Sequence, residues 1–197
     1  MGFNMDYSKV LRSNLLASID AKKAFLQKED QLIIFSKAVN AVVNAYKKGG
    51  RIYIAGNGGS AADAQHLAAE FISKLAKDRG PLPAEALTVD SSVITAIGND
   101  YGYDEIFARQ ILGKMRPHDI FLGITTSGNS QNIIRALEVC KSLNIPSIVF
   151  TGHDGGKVAQ IAEHCILVTG EETATIQELH IVLAHSLCQC VEAEIFN

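Results

Sequence analysis

The sequence is short of proline and cysteine, four of each in 197 residues, and it has no excess of basic charge and no long uninterrupted apolar run. Each shortage excludes something. So little proline beside 16 glycines argues that the glycines serve particular turns rather than a flexible linker. The cysteines, at 140, 165, 188 and 190, show no C-x-x-C spacing, and a chain of this length does not need a disulfide framework. Reduced thiols in a cytoplasmic protein follow as the simplest expectation. Lys and Arg total 18 against 21 Asp and Glu, a net charge of -3, so the basic excess of a dedicated nucleic-acid binder is missing. No stretch approaches the roughly 18 apolar residues of a membrane span. Residues 1–17 lack the cationic start and apolar stretch of a signal peptide. No linker, repeat or low-complexity tract interrupts the chain. With 47% hydrophobic and 20% charged residues it should fold as one domain over residues 1–197.

The apolar periodicity predicts two long helices before any strand. The first covers residues 7–27, with Val10, Leu11, Leu15, Leu16, Ile19 and Phe25 on a stripe. The second carries Leu32, Ile33, Phe35, Ala38, Val39, Val42, Val43 and Tyr46, and stops at Lys47-Lys48-Gly49-Gly50, with cations in the last turn and glycine after it. An α/β fold can begin at its first strand, so this pair (residues 1–49) needs a burial partner, and self-association would supply one. From residue 50 onward strands and helices alternate. Strands are predicted at 51–55, 85–89, 119–124, 146–150 and 165–168. Helices are predicted at 61–76, 91–97, 104–112 and 131–143, with a short one ending near 162 and a closing helix over 175–196. Repeated βα units imply an α/β fold with a parallel sheet and helices on both faces. Such sheets bind ligands beyond the carboxyl ends of their strands.

Two of those strands end in small-residue turns that open helices, Gly56-Asn57-Gly58-Gly59-Ser60 and Thr125-Thr126-Ser127-Gly128-Asn129-Ser130. Each alone is compatible with an ordinary βα turn and a serine cap. Together, with four hydroxyls in six residues of the second, they favour an anion at helix N-termini, where free N–H groups point outward. The first turn also fits G-x-G-x-x-A, but the acidic residue expected about 20 positions on falls in a loop. No Walker loop occurs. A phosphorylated small molecule therefore suits the turns better than a nucleotide cofactor.

His66 and Glu70 stand four apart on the helix that the first turn opens, so they share a face. The closing helix carries Gln177, Glu178, His180 and His185, and Gln177 and His185 lie on roughly one side of it. A single histidine on an apolar helix is ordinarily a satisfied core group. So many polar groups among Leu, Ile, Val and Ala would be costly to bury uncompensated. His66, Glu70 and His185 suit a divalent metal site, a proton-transfer pair, or both. Spacing alone does not bring the two helices together.

Ala55-Gly-Asn-Gly-Gly-Ser-Ala-Ala-Asp-Ala-Gln-His66 with Ala69-Glu70-Phe71 resembles the phosphoheptose isomerase family. So do Thr95-Ala-Ile-Gly-Asn-Asp-Tyr-Gly102, Thr126-Ser-Gly-Asn-Ser130, the Thr151-Gly-x-x-Gly-Gly156 segment, and Ile176-Gln-Glu-Leu-His180 with His185. The motifs occur in family order along nearly the whole chain. The resemblance implies a three-layer sugar-isomerase (SIS) fold, a five-stranded parallel sheet flanked by helices. It implies a homotetramer with active sites at subunit interfaces, in which the two N-terminal helices would serve oligomerisation. It implies conversion of sedoheptulose 7-phosphate to D-glycero-D-manno-heptose 7-phosphate through an enediol, the first step of bacterial heptose biosynthesis.

By the same resemblance Asn57, Gly58, Gly59, Asn99 and Asp100 would hold substrate, and Ser60, Thr125, Thr126, Ser127 and Ser130 its phosphate and sugar. Glu70 and Gln177 would also face the substrate. Zinc, one per subunit, would sit on His66, Glu70, Gln177 and His185. Glu70 is the better suited to the carbon-bound proton and His185 to its partner, the order of their action being open. The family often has Ser at Thr125, which keeps the hydroxyl, and Arg at Lys74, where lysine keeps the charge but not the planar fork. Three other functions compete. Non-enzymatic relatives that bind the replication initiator lack the catalytic Glu and His, both present here. Sugar-phosphate-sensing modules accompany a DNA-binding domain. A hexose or pentose phosphate isomerase would share the turns.

Overall fold

The computed structural model describes residues 5–196, and the ends of the expected 1–197 domain and of the 1–17 stretch therefore lie partly outside the described residues. Two helices, α1 (Tyr7–Phe25) and α2 (Glu29–Lys47), precede β1 (Ile52–Gly56). There follow α3 (Gly59–Ile72), β2 (Ala84–Ala86), α4 (Ser91–Tyr101), a 3-10 turn (Tyr103–Glu105) and α5 (Ala108–Lys114). The chain continues through β3 (Ile120–Thr125), α6 (Gln131–Ser142), β4 (Ser147–Thr151), a 3-10 turn (Lys157–Gln160), β5 (His164–Leu167) and α7 (Thr173–Phe196).

The five strands are all parallel, in the order β2-β1-β3-β4-β5. Alternate residues feed two separate cores, as the two-residue period of a strand requires. Ile52, Ile54, Ile120, Leu122, Ile148 and Phe150 meet α2, α3 and α7. Tyr53, Ala55, Phe121 and Val149 meet the layer formed by Ile106, Phe107 and Ile111 with Ile133 and Leu137 of α6. The result is a helix–sheet–helix sandwich. The chain leaves β1 toward β2 on one side and returns to β3 on the other. The crossover direction thus reverses between β1 and β3, at whose carboxyl ends a crevice opens.

The sequence expectation for the N-terminal pair needs division. Helix α2 buries Ala38, Val39, Val42 and Val43 against the sheet and α7 within this same chain, so most of its stripe is covered without a second subunit, Ile33 alone being left 56% exposed. Helix α1 is different. Ser18, Ala21 and Phe25 face inward, while Leu11, Leu15, Leu16 and Ile19 are 46–61% exposed. Four shorter corrections concern boundaries. Strand β2 covers 84–86 rather than 85–89, because Val89 turns out to solvent. Helix α4 runs on to Tyr101 and stops at Gly102, whose φ of 92° ends it. Helix α5 starts at Ala108, after a 3-10 turn, and α3 ends at Ile72 instead of 76. Helix α7 is long and apolar enough to cross a bilayer by length and composition. In this fold it is a core helix, with Leu179, Leu183, Leu187 and Val191 buried.

Candidate active site

Both small-residue turns fall at the β1/β3 crevice. The first opens α3. Ser60 is buried at its start, and a Cβ on Gly59 would come within 2.4 Å of the Gln177 side-chain amide. The bare Gly59 thus lets the Gln177 side chain lie on the first turn of α3, and a larger residue there would displace that amide. The second turn opens α6. There the Thr125 and Ser130 hydroxyls bond each other at 3.0 Å, and Ser127 Oγ accepts from the Asn129 N–H. The carbonyl of Thr126 accepts from the Gly152 N–H at 3.1 Å. Gly128, at φ 66°, is locked against the neighbouring loop: a Cβ there would meet the Gly155 carbonyl oxygen at 2.1 Å, and its own carbonyl accepts from the Val158 N–H. The hydroxyls are therefore fixed in advance.

Asn57 joins the two turns. Its amide exchanges two hydrogen bonds of 2.9 Å with Asn132 in the first turn of α6, and its Oδ1 also accepts from the Tyr103 hydroxyl at 2.9 Å. One amide N–H of Asn57 is left for a ligand. Asn132 and Tyr103 escaped sequence reasoning. Asn132 follows the turn by two residues and reads as an ordinary helix position, and the crossing from Tyr103 is tertiary. Asn99 and Asp100 lie on the exposed last turn of α4 and are bonded to each other at 2.8 Å. Lys74 pairs with Asp78 at 3.7 Å.

The fold brings α3 and α7 side by side and parallel, so that Gln177 meets Gly59 and His185 meets His66. The imidazoles of His66 and His185 pack edge to face with centroids 5.1 Å apart. His66 Nε2 lies 3.1 Å from Glu70 Oε1. One donor atom from each of His66, Glu70 and His185 falls within a common span of 4.8 Å. Two imidazoles and one carboxylate are a zinc-type donor set, and tetrahedral zinc with bonds of about 2 Å needs donors about 3.4 Å apart, so small rotamer changes would close the set. Gln177, whose amide rests on Gly59, stands just over two turns before His185 on the same helix. The cluster is open: the His66 side chain is 47% exposed and that of Glu70 21%. A shallow cavity of about 340 Å³ lined by Lys37, Asn44, His118, Asp119 and Glu163 lies at the amino end of the strands, away from these groups.

The remaining polar groups of α7 go elsewhere. Glu178 accepts a hydrogen bond from Ser18 of α1, and this bond and Lys22 hold its carboxyl below the usual range. His180 is fully buried against Phe150, and neither ring nitrogen meets a partner at hydrogen-bonding geometry. Burial holds its pKa down to about 4. A histidine held neutral in the fold but free to protonate when unfolded weakens the fold as pH falls from about 6.5 toward 4. Stability is thus expected to drop across that window, by at most about 1.4 kcal/mol per pH unit from this group, and more shallowly in His180→Gln. A slope unchanged in the variant, measured by thermal melts, would remove His180 as its source.

For the second turn, Ser130→Ala is expected to raise KM for a phosphorylated substrate by about tenfold or more, the scale of one hydrogen bond to a charged group. Its melting temperature should change little, since the residue's backbone still starts α6. An unchanged KM would place the phosphate elsewhere.

Comparison with known proteins supplies the remaining observations. The SIS domain family matches residues 17–152. The phosphoheptose isomerase of Aneurinibacillus thermoaerophilus is 48% identical over 187 residues, 95% of this chain and 94% of that protein. That of Aquifex aeolicus is 49% identical over 175 residues, 89% and 91% of the two chains. Among solved structures, the phosphoheptose isomerase GmhA from Neisseria gonorrhoeae superposes with a TM-score of 0.89 at 37% identity, over 95% of this chain and 100% of that one. A phosphoheptose isomerase from Francisella tularensis gives 0.91 at 34%, over 96% and 100%.

Proposed function

Since the chain belongs to the phosphoheptose isomerases of the SIS domain family, we propose that it converts sedoheptulose 7-phosphate to D-glycero-D-manno-heptose 7-phosphate, the first step of bacterial heptose biosynthesis. The observation that carries this reading is the meeting of His66, Glu70 and His185 from α3 and α7 along a helix that starts at an anion-suited turn. Gly59 and His66 are seven residues apart, about 10 Å along the axis. That span suits a seven-carbon chain with its phosphate at the turns and C1 and C2 at the cluster.

Ser60, Thr125, Thr126, Ser127 and Ser130 with the α3 and α6 N-termini would hold the phosphate and sugar. Asn57, Gly58, Gly59, Asn99, Asp100 and Gln177 would orient the rest. Going from ketose to aldose, Glu70 takes a proton from C1 and returns it to C2, through the oxygen not facing His66. His185 gives a proton to O2 and accepts one from O1, so a cis-enediol forms and collapses with no redox change. Zinc on His66, Glu70, Gln177 and His185 would supply charge that polarises the carbonyl oxygen. The open cluster and the bare face of α1 both favour self-association in which a neighbouring subunit closes each site; the homotetramer and the cytoplasmic location follow from the family reading.

The test is incubation with sedoheptulose 7-phosphate, with and without zinc, reading the aldose product by NMR beside hexose and pentose phosphate controls. Preference for a shorter sugar would overturn the substrate. Chelation by EDTA is expected to lower turnover and zinc to restore it, with Gln177→Ala weakening zinc binding more than it disturbs folding. Full turnover in enzyme shown to be metal-free by elemental analysis would remove the metal from the reaction.

A further inference from the structure

Helix α3 ends at Ile72, two residues beyond Glu70, although Ser73-Lys74-Leu75-Ala76 are residues able to continue it. The last carbonyls of a helix have no partners within it. Here one guanidinium takes two of them. Arg79 Nη2 donates to the carbonyl of Glu70 at 2.9 Å, and Nη1 to those of Phe71 at 2.7 Å and Gly80 at 3.0 Å. The same group donates from Nε and Nη2 to Glu192 Oε1 at 2.8 and 2.6 Å. That oxygen also accepts from the Leu75 N–H at 3.1 Å. The two side chains are 3% and 6% exposed. Glu192 stands seven residues, two turns, after His185 on α7, so it lies on nearly the same face of that helix.

A buried ion pair is weak evidence of stability, because desolvation cancels much of the attraction. Position is what this one supplies. It closes the end of α3 at Glu70 itself and ties that end to the helix that carries His185. We infer that Arg79 and Glu192 are positioning residues for the isomerisation: the pair fixes the final turn of α3 against α7 and so sets Glu70 opposite His185. This rests on the roles given to Glu70 and His185 above. Lysine at 79 would keep the charge but has no planar fork to span the carbonyls and the carboxylate together.

Two variants test the inference, Arg79→Lys and the double variant Arg79→Met/Glu192→Met, in the full chain with sedoheptulose 7-phosphate. Arg79→Lys is expected to lower kcat by about 10- to 100-fold, the scale of a misplacement near 1 Å, with KM kept within about twofold and faster amide exchange at Ser73 and Leu75. The double variant should recover the melting temperature that Arg79→Met alone loses, since an apolar pair replaces a broken one, yet keep the kcat deficit. A folded variant of either kind with wild-type kcat overturns the positioning role. Failure of both to fold overturns it as well, since the pair would then be a stability element. Near-normal turnover in Glu70→Gln would instead overturn the roles on which the inference rests, a result distinct from either.

Discussion

Glu70→Gln is expected to lower turnover of sedoheptulose 7-phosphate by at least about 100-fold, the ordinary scale of a general base, with the melting temperature kept within a few degrees. Glutamine matches glutamate in shape and preserves the packing of the last turn of α3. It removes the group that takes up the carbon-bound proton and leaves the contact with His66 as a neutral hydrogen bond. Solvent exchange gives a second measure. In deuterated water the wild-type enzyme should wash label into the substrate at C1, and the variant should do so no faster than buffer. Near-normal turnover would take Glu70 out of the mechanism. His185→Ala is expected to behave similarly if His185 is the partner group. Should it lose turnover while still washing in label, its part is confined to the oxygens.

The second large effect concerns assembly. Deleting residues 1–28 would dissociate or aggregate the protein, but it would also strip Phe25 and Ala21 from the core, mixing two causes. The double substitution Leu11→Glu/Leu15→Glu avoids this, since both side chains are exposed in the single subunit, at 61% and 56%. Burying a leucine contributes about 1.5–3 kcal/mol, and an unpaired carboxylate at a buried interface costs more. Two such changes per subunit weaken association by at least about 3 kcal/mol, over a hundredfold in Kd. Light scattering should then show particles approaching the single-chain mass of 21.2 kDa, with turnover falling alongside if a neighbour closes the site. An unchanged particle mass would mean that the α1 stripe is not what holds the proposed assembly together.

The alternation of strand and helix was legible because most β-runs are short and hold β-branched residues, and those of β1, β3 and β4 lead directly into turns rich in glycine or hydroxyls; β2, Ala-Glu-Ala, is the exception. The order β2-β1-β3-β4-β5 was not legible, since strand adjacency is set by tertiary packing that no local pattern carries. His66 and Glu70 were legible as a pair because i and i+4 share a helix face wherever the helix goes. Their meeting with His185 was not, since it depends on α3 and α7 lying parallel. The N-terminal helices show the same limit. Both have apolar stripes of similar strength, and periodicity cannot say which stripe meets its own sheet and which is left bare. The end of α3 at Ile72 was invisible for a related reason. Its stop signal is an arginine seven residues later and a glutamate on another helix, so no window around the helix contains it.

The lock between Gly128 and Gly155 has a consequence for sequence drift. Ser127 and Asn129, on either side, are exposed yet also hold the turn: Ser127 Oγ accepts from the Asn129 N–H, and Asn129 Oδ1 accepts from the Lys157 N–H. At Gly128 nothing larger fits while Gly155 keeps its path, and its backbone conformation strains any other residue. The two loops can thus change shape only through simultaneous substitutions, each harmful alone. Selection for a new sugar should leave this joint untouched, so the phosphate end of the site would be inherited while the carbonyl end diversifies.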